Sequence, residues 1–255
     1  MGLQRYEKIS SYLRQLGDFG KMTTIKNEEI KVVAFDADDT LWENEGLFRA
    51  AEREVAEVLK KYGDYEHISS ELYKTETKNM PDYGFGAMAY TLSMMETAIR
   101  VTGKKLTAKQ AEKIIESGRK LLHNPATPLP GVTETLSNLK GRYRLAIITK
   151  GDLFDQEKKI VRSGLKAYFD EIFIVSDKDR EHYEDLCSKM SIRPPELLSV
   201  GNSFKSDIAP VLEIGGWAVH IPSTATWQLE HTEEYDHPRL HKIGNISLLP
   251  ALLGL

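Results

Sequence analysis

The segment at 32–42, VVAFDADDTLW, sets carboxylates at positions 36, 38 and 39 directly after an apolar run. Carboxylates at the carboxyl end of a buried parallel strand sit where open α/β sheets bind ligands. Extended residues i and i+2 point to the same side, so Asp36 and Asp38 can face one substrate from adjacent positions. Two close carboxylates repel unless a cation or a shared proton compensates, and a hard, oxygen-seeking ion such as Mg²⁺ is the natural compensation. Aspartates in such a place also cap turns and helices, so the bare Asp-x-Asp spacing leaves a turn and a site both open.

Other strand ends carry polar residues of the same kind. RLAIITKGD ends in Thr149, whose hydroxyl, with neighbouring backbone N–H groups, can hold a phosphoryl oxygen, although threonine is common in strands for its shape alone. LLSVGNSFKSD offers Asn202 and Asp207 as oxygen ligands, while Gly201, Asn202 and Ser203 also make good turn chemistry.

With the full string Asp-x-Asp-x-Thr at 36–40 following a buried strand, the sequence resembles the haloacid dehalogenase superfamily of phosphohydrolases, whose first motif is DxDxT. The resemblance covers about 32–221. It implies that Asp36 attacks phosphorus and that Asp38 is the general acid/base. It makes Thr149 the hydroxyl of the second motif, with Lys150 beside it as a further substrate contact. Phosphoryl transfer is mostly positioning and charge compensation, so a cation must hold the nucleophile and the phosphate. Position after the strand EIFIVS assigns this to Lys178, with Lys150 as its rival. The implied metal set is Asp36, the backbone carbonyl of Asp38, and the Asn202 and Asp207 region, around Mg²⁺. The family commonly has Gly-Asp in the fourth motif; Gly201-Asn202 replaces that anion with an amide, which lowers the charge available to a cation.

Elements must bring these residues together. Short β-rich runs at 31–35, 144–149, 171–175, 197–200 and 217–221, separated by turns and helical patterns, predict a parallel sheet flanked by helices. From 47 to 128 the pattern is helical, with Phe48, Ala51, Val55, Val58 and Leu59 on one face and Leu92, Met95 and Ile99 on another. Pro125, Pro128, Pro130 and Gly131 close that insertion. The expected fold is α/β, a doubly wound Rossmann-like parallel sheet with an inserted α-helical cap. The catalytic core would be 30–46 with 129–255, the cap 47–128, and residues 1–29 an N-terminal extension with one amphipathic helix at 6–16. By the resemblance the cap selects the leaving group. PDYGFGAMAY is its contact-ready turn, where Gly84 and Gly86 permit tight backbone and Tyr83 and Phe85 offer surface; plain helix packing is the other reading.

A net charge of -4 with scattered Lys and Arg argues against a stable nucleic-acid partner. No segment has the length and apolarity to cross a bilayer and the first residues carry no export-type apolar run, so no membrane association is expected. The single cysteine, Cys187, cannot form an internal disulfide and reads as a small buried helix residue; a cytoplasmic location is expected. His231, His237 and His241 are spaced unlike any compact metal motif and read as solvated surface. The expected activity is Mg²⁺-dependent hydrolysis of a small phosphorylated metabolite through an aspartyl phosphate. The alternatives are a metal-independent haloacid dehalogenase, which has no need of Asp38, and a catalytically weak binding module in which Asn202 marks a decayed metal site.

Overall fold

A computed structural model describes residues 25, 29–223 and 227–255. The helix expected at 6–16 lies outside the described residues.

Among the described residues six parallel strands form one sheet: β1 (Val32–Phe35), β2 (Arg144–Lys150), β3 (Glu171–Val175), β4 (Leu197–Gly201), β5 (Trp217–His220) and β6 (Leu240–Lys242), in the order β3-β2-β1-β4-β5-β6. Alternation along the strands divides their side chains between two cores. Val33, Phe35, Leu145, Ile147, Leu198 and Val200 pack on one face of the sheet. Val32, Ala34, Ala146, Ile148 and Leu197 pack on the other. Strands buried on both faces need continuous apolar sequence, which is why VVAF and LAII carry no polar residue. The chain order reverses between β1 and β4, and the crevice beyond the carboxyl ends at such a switch point is where this architecture binds ligands. β6 is the strand that the sequence hid, three residues in an otherwise polar stretch.

Four helices separate β1 from the rest of the sheet: α1 (Glu45–Leu59), α2 (Tyr65–Tyr83), α3 (Ala87–Val101) and α4 (Ala108–Leu122). They bury a core of their own, including Val55, Leu59, Ile68, Leu72, Met94 and Ile114. Asp64 accepts from the His67 N–H to start α2, and Thr107 with Gln110 forms a capping box for α4. On α3 the expected Leu92, Met95, Ile99 face is turned outward: Leu92 and Ile99 are exposed and Met95 is partly buried. The buried face is Ala87, Tyr90, Ser93, Met94, Thr97 and Ala98. Small residues let α3 approach α2 and α4 closely, and that packing outweighed the pull of the larger aliphatics. The chain leaves and re-enters the sheet side by side, since Trp42 bridges Pro128 and the Asn124 amide donates to the Glu43 carbonyl at 3.2 Å.

The remaining helices cover the sheet: α5 (Val132–Leu139), α6 (Leu153–Arg162), α7 (Arg180–Lys189), α8 (Ala209–Glu213) and α9 (Leu249–Leu252). Cys187 is buried on α7, and burial pushes its thiol up to about 11. Among the described residues no helix is long and apolar enough to cross a membrane.

Candidate active site

Asp36 follows β1, and its own N–H donates to the Val200 carbonyl of β4 at 2.9 Å, which fixes it at the switch point. Its Oδ1 receives Lys178 Nζ at 2.6 Å, and the same ammonium donates to Asp207 Oδ1 at 2.8 Å. Burial alone would push the Lys178 pKa down, but Asp207 and Asp36 more than reverse this and hold it well above the usual lysine range. Burial, and then the Asp207 charge, push Asp36 up to about 7 despite Lys178.

Asp207 lies under the β4 end because residue 201 is glycine; a Cβ there would stand 2.2 Å from Asp207 Oδ2. That oxygen accepts from the Ser203 N–H at 2.9 Å. Each Asp207 oxygen thus meets a protein donor, and the residue anchors Lys178. The Asn202 side chain sits elsewhere. Its terminal amide position lies 3.2 Å from the Asp38 carbonyl, 3.2 Å from Asp36 Oδ2 and 3.1 Å from the Thr40 hydroxyl. An amide nitrogen turned there donates to both oxygens. An amide oxygen there meets two acceptors at nearly the ~3.0 Å that separates neighbouring ligands around a Mg²⁺ ion with bonds of about 2.1 Å. The donor set fits such an ion: one carboxylate, one main-chain carbonyl and one amide. Among the described residues no three His, Cys, Asp or Glu side chains gather as a metal cluster. His220 supports the Asn202 turn, its Nε2 lying 3.0 Å from the Asn202 carbonyl.

Asp38 is held by residues the sequence did not single out. Lys159 Nζ lies 2.9 and 2.7 Å from its two oxygens, Gln156 Nε2 donates to Oδ2 at 2.8 Å and Trp42 Nε1 to Oδ1 at 2.7 Å. The third acidic residue, Asp39, has the turn role weighed for all three. At φ 62° it accepts from the Asn44 and Glu45 N–H groups and so starts α1, with burial raising it to about 6.

Thr149 is buried and lines the cavity beside Asp36. Lys150 is not the partner of the nucleophile: it donates to Ser206 Oγ at 2.8 Å and to Glu230 at 2.6 Å, and stands 4.9 Å over the Phe85 ring. Burial would raise Glu230, but Lys150, Ser203 and Ser206 outweigh it and bring it down to about 2.

The cavity over these groups measures about 450 Å³ and is lined on one side by residues of α1, α2 and α3. The turn between α2 and α3 needs its glycines, with φ 67° at Gly84 and 110° at Gly86. It delivers Phe85, which meets Trp227 edge to face at 5.9 Å. Tyr83 does not take the position expected of it: it is 52% exposed and outside the cavity lining, because the last turn of α2 points it to solvent. Trp227 also donates to Glu76 of α2, whose carboxyl burial pushes up to about 7. Burial likewise raises Glu45 to about 7. His231 is exposed at the cavity rim, whereas His241 stacks on Trp217 away from it.

A family model described as haloacid dehalogenase-like hydrolase matches residues 30–215. The chain is 27% identical over 234 residues to the glyceraldehyde 3-phosphate phosphatase of Methanothermobacter thermautotrophicus, covering 88% of this chain and 100% of that one. It is 25% identical to the N-acylneuraminate-9-phosphatase of Homo sapiens, over 73% of this chain and 79% of that one. A crystal structure of a haloacid dehalogenase-like family hydrolase from Xanthomonas campestris superposes with a TM-score of 0.81 at 36% identity, covering 91% of this chain and 94% of that one.

Proposed function

Because this chain belongs to the haloacid dehalogenase-like hydrolase family, we propose that it is a phosphatase for a small phosphorylated metabolite, working through a phosphorylated Asp36. The observation that carries this reading is the pairing of Asp36 Oδ1 with the buried Lys178, which leaves Oδ2 toward the cavity side shared with Asn202 and the Asp38 carbonyl. The names of the relatives support a phosphate ester as substrate.

In this reading Asp36 attacks phosphorus in line with the ester oxygen. The phosphorus–oxygen bond to the leaving group breaks, and Asp38 gives that oxygen a proton. Water then attacks the aspartyl phosphate, Asp38 takes back a proton, and Asp36 and phosphate separate. Lys178, Thr149 and the N–H groups near β2 face the charge on the phosphoryl oxygens. Asp36 Oδ2, the Asp38 carbonyl and Asn202 would hold Mg²⁺, whose chemistry is to neutralise phosphoryl charge. Asp207 acts through Lys178.

The helices α1 to α4 serve as a lid that excludes water and contacts the rest of the substrate. Phe85 and Trp227 supply flat apolar surface, and Glu45 and Glu76 supply polar groups suited to hydroxyls or an amine.

The dehalogenase alternative differs in the atom that water attacks. In H₂¹⁸O, single turnover of 4-nitrophenyl phosphate places the label in inorganic phosphate if water attacks phosphorus. Inert 4-nitrophenyl phosphate together with chloride release from 2-chloropropionate, the label then entering the Asp36 carboxyl by attack at carbon, refutes the phosphatase reading. No turnover at all, with or without Mg²⁺, favours the idle binding module.

A further inference from the structure

Helix α6 is built inside out. Leu153, Phe154 and Val161 stand 59–62% exposed, while its buried face is Asp155, Gln156, Lys159 and Ile160. A helix laid on a core ordinarily buries its apolar stripe, so inward polar residues need a polar object to serve. That object is Asp38. A carboxylate offers about four acceptor positions, and the contacts of Lys159, Gln156 and Trp42 meet all four. Lys159 is 3% exposed, and apart from Asp38 its near acceptors are Asn44 Oδ1 at 3.3 Å and Asp155 Oδ2 at 3.9 Å. Without Asp38 the ammonium would be a poorly compensated buried charge.

We infer that Lys159, seconded by Gln156, is a positioning residue for the acid/base chemistry, holding the Asp38 carboxyl in the orientation from which one oxygen reaches the reacting ester; this rests on the reading of Asp38 as acid/base given above. The ammonium has three N–H bonds and spans both oxygens. When one oxygen gives up a donor to meet the leaving group, Lys159 keeps the other oxygen and limits rotation of the carboxyl. Trp42 and Gln156 are neutral, directional donors that set the rotation about that hold. An ammonium that merely filled a buried gap would not need bonds to both oxygens of one carboxyl.

The test compares aryl phosphates of graded leaving ability, with the whole Mg²⁺-supplied protein and variants Lys159→Met, Lys159→Gln and Asp38→Asn. 4-Nitrophenolate departs with little protonation, whereas phenolate depends on an acid. Lys159→Met is expected to lower kcat/KM about 30-fold for phenyl phosphate and less than about 5-fold for 4-nitrophenyl phosphate, within the span of general-acid effects. Asp38→Asn is expected to show the same selective loss, and Lys159→Gln, which keeps an N–H donor, to recover much of it. Equal losses on both esters in the lysine variants, with selectivity retained in Asp38→Asn, overturn the inference and leave the function standing. Absence of selectivity in Asp38→Asn overturns the acid/base role of Asp38 itself. If Lys159→Met does not fold, Gln156→Leu, which removes the neutral donor to Asp38 Oδ2, is expected to show a smaller loss of the same selectivity, and an equal loss on both esters overturns the inference.

Discussion

Lys178 Nζ lies 2.6 Å from Asp36 Oδ1, a pair closed across 142 positions of sequence with almost no access to solvent. Replacing Lys178 by Met leaves Asp36 and Asp207 buried side by side without their cation. Turnover is expected to fall by at least about 1000-fold and stability by about 3 kcal/mol, as for a buried pair stripped of one partner. The two carboxylates would then hold a proton more tightly folded than unfolded. Stability of the variant should therefore be greatest at acid pH and decline as pH rises through neutrality. Urea unfolding at pH 5.5 and 8 measures this, and a flat profile would contradict it.

Asp36→Asn keeps the shape of the side chain and removes the nucleophile. Hydrolysis of 4-nitrophenyl phosphate should disappear while the melting temperature stays near or above that of the parent, since the amide also relieves the repulsion from Asp207. Wild-type turnover by this variant would end the assignment of Asp36.

Chelation should abolish activity and Mg²⁺ should restore it. Asn202→Asp adds a negative charge to a ligand set that holds one carboxylate, and is expected to tighten Mg²⁺ binding about tenfold. Titration followed by activity reads both effects; an unchanged affinity would place residue 202 outside the metal shell.

Glu76 gives a pH signature of its own. Burial raises its folded pKa to about 7, against about 4.5 for an ordinary glutamate. The contribution of its proton is complete below 4.5 and is lost as pH rises through 7. Glu76→Gln should therefore melt with the parent at pH 4.5 and about 2 °C higher at pH 8, for a gain of roughly 1 kcal/mol. A variant less stable than the parent at pH 8 would show that the charged form is the one Trp227 holds.

Phe85 and Trp227 meet over the cavity, so Ala at both should lower kcat/KM for the physiological ester far more than for 4-nitrophenyl phosphate, which barely reaches them. Tyr83→Ala serves as the comparison and should leave both values within about twofold, as expected of an exposed side chain. A loss at Tyr83 equal to that at Phe85 would refute the placement.

The sheet was legible because each strand between 32 and 220 is a short apolar run closed by a polar residue. Asp36 was legible as a carboxylate at a strand end, and the contact of Lys178 with it was legible only through the resemblance, which sets a lysine after the third core strand. The pairing of Asp38 was not. Lys159 and Gln156 are polar residues on a helix, and their inward orientation is set by tertiary packing that leaves Leu153 and Phe154 outside. The available hint was a helix whose apolar residues failed to form an inward stripe continuous with Ile160. Glu230 and Trp227 were hidden for another reason. They lie in a stretch with little local periodicity, and only the fold brings them beside Lys150 and Phe85.

The wall of the cavity is shared: Phe85 and Glu76 come from the helices, and Trp227 and Glu230 from a segment that follows β5. As the proposed contact surface for the substrate, the two contributions are expected to change together when the substrate changes. Transplanting the helices alone onto another sheet would bring one half of a matched pair against an unmatched partner. A chimera with inherited selectivity has to carry residues 227–231 along with the helical insertion, as one recombination unit drawn from two distant stretches of the gene.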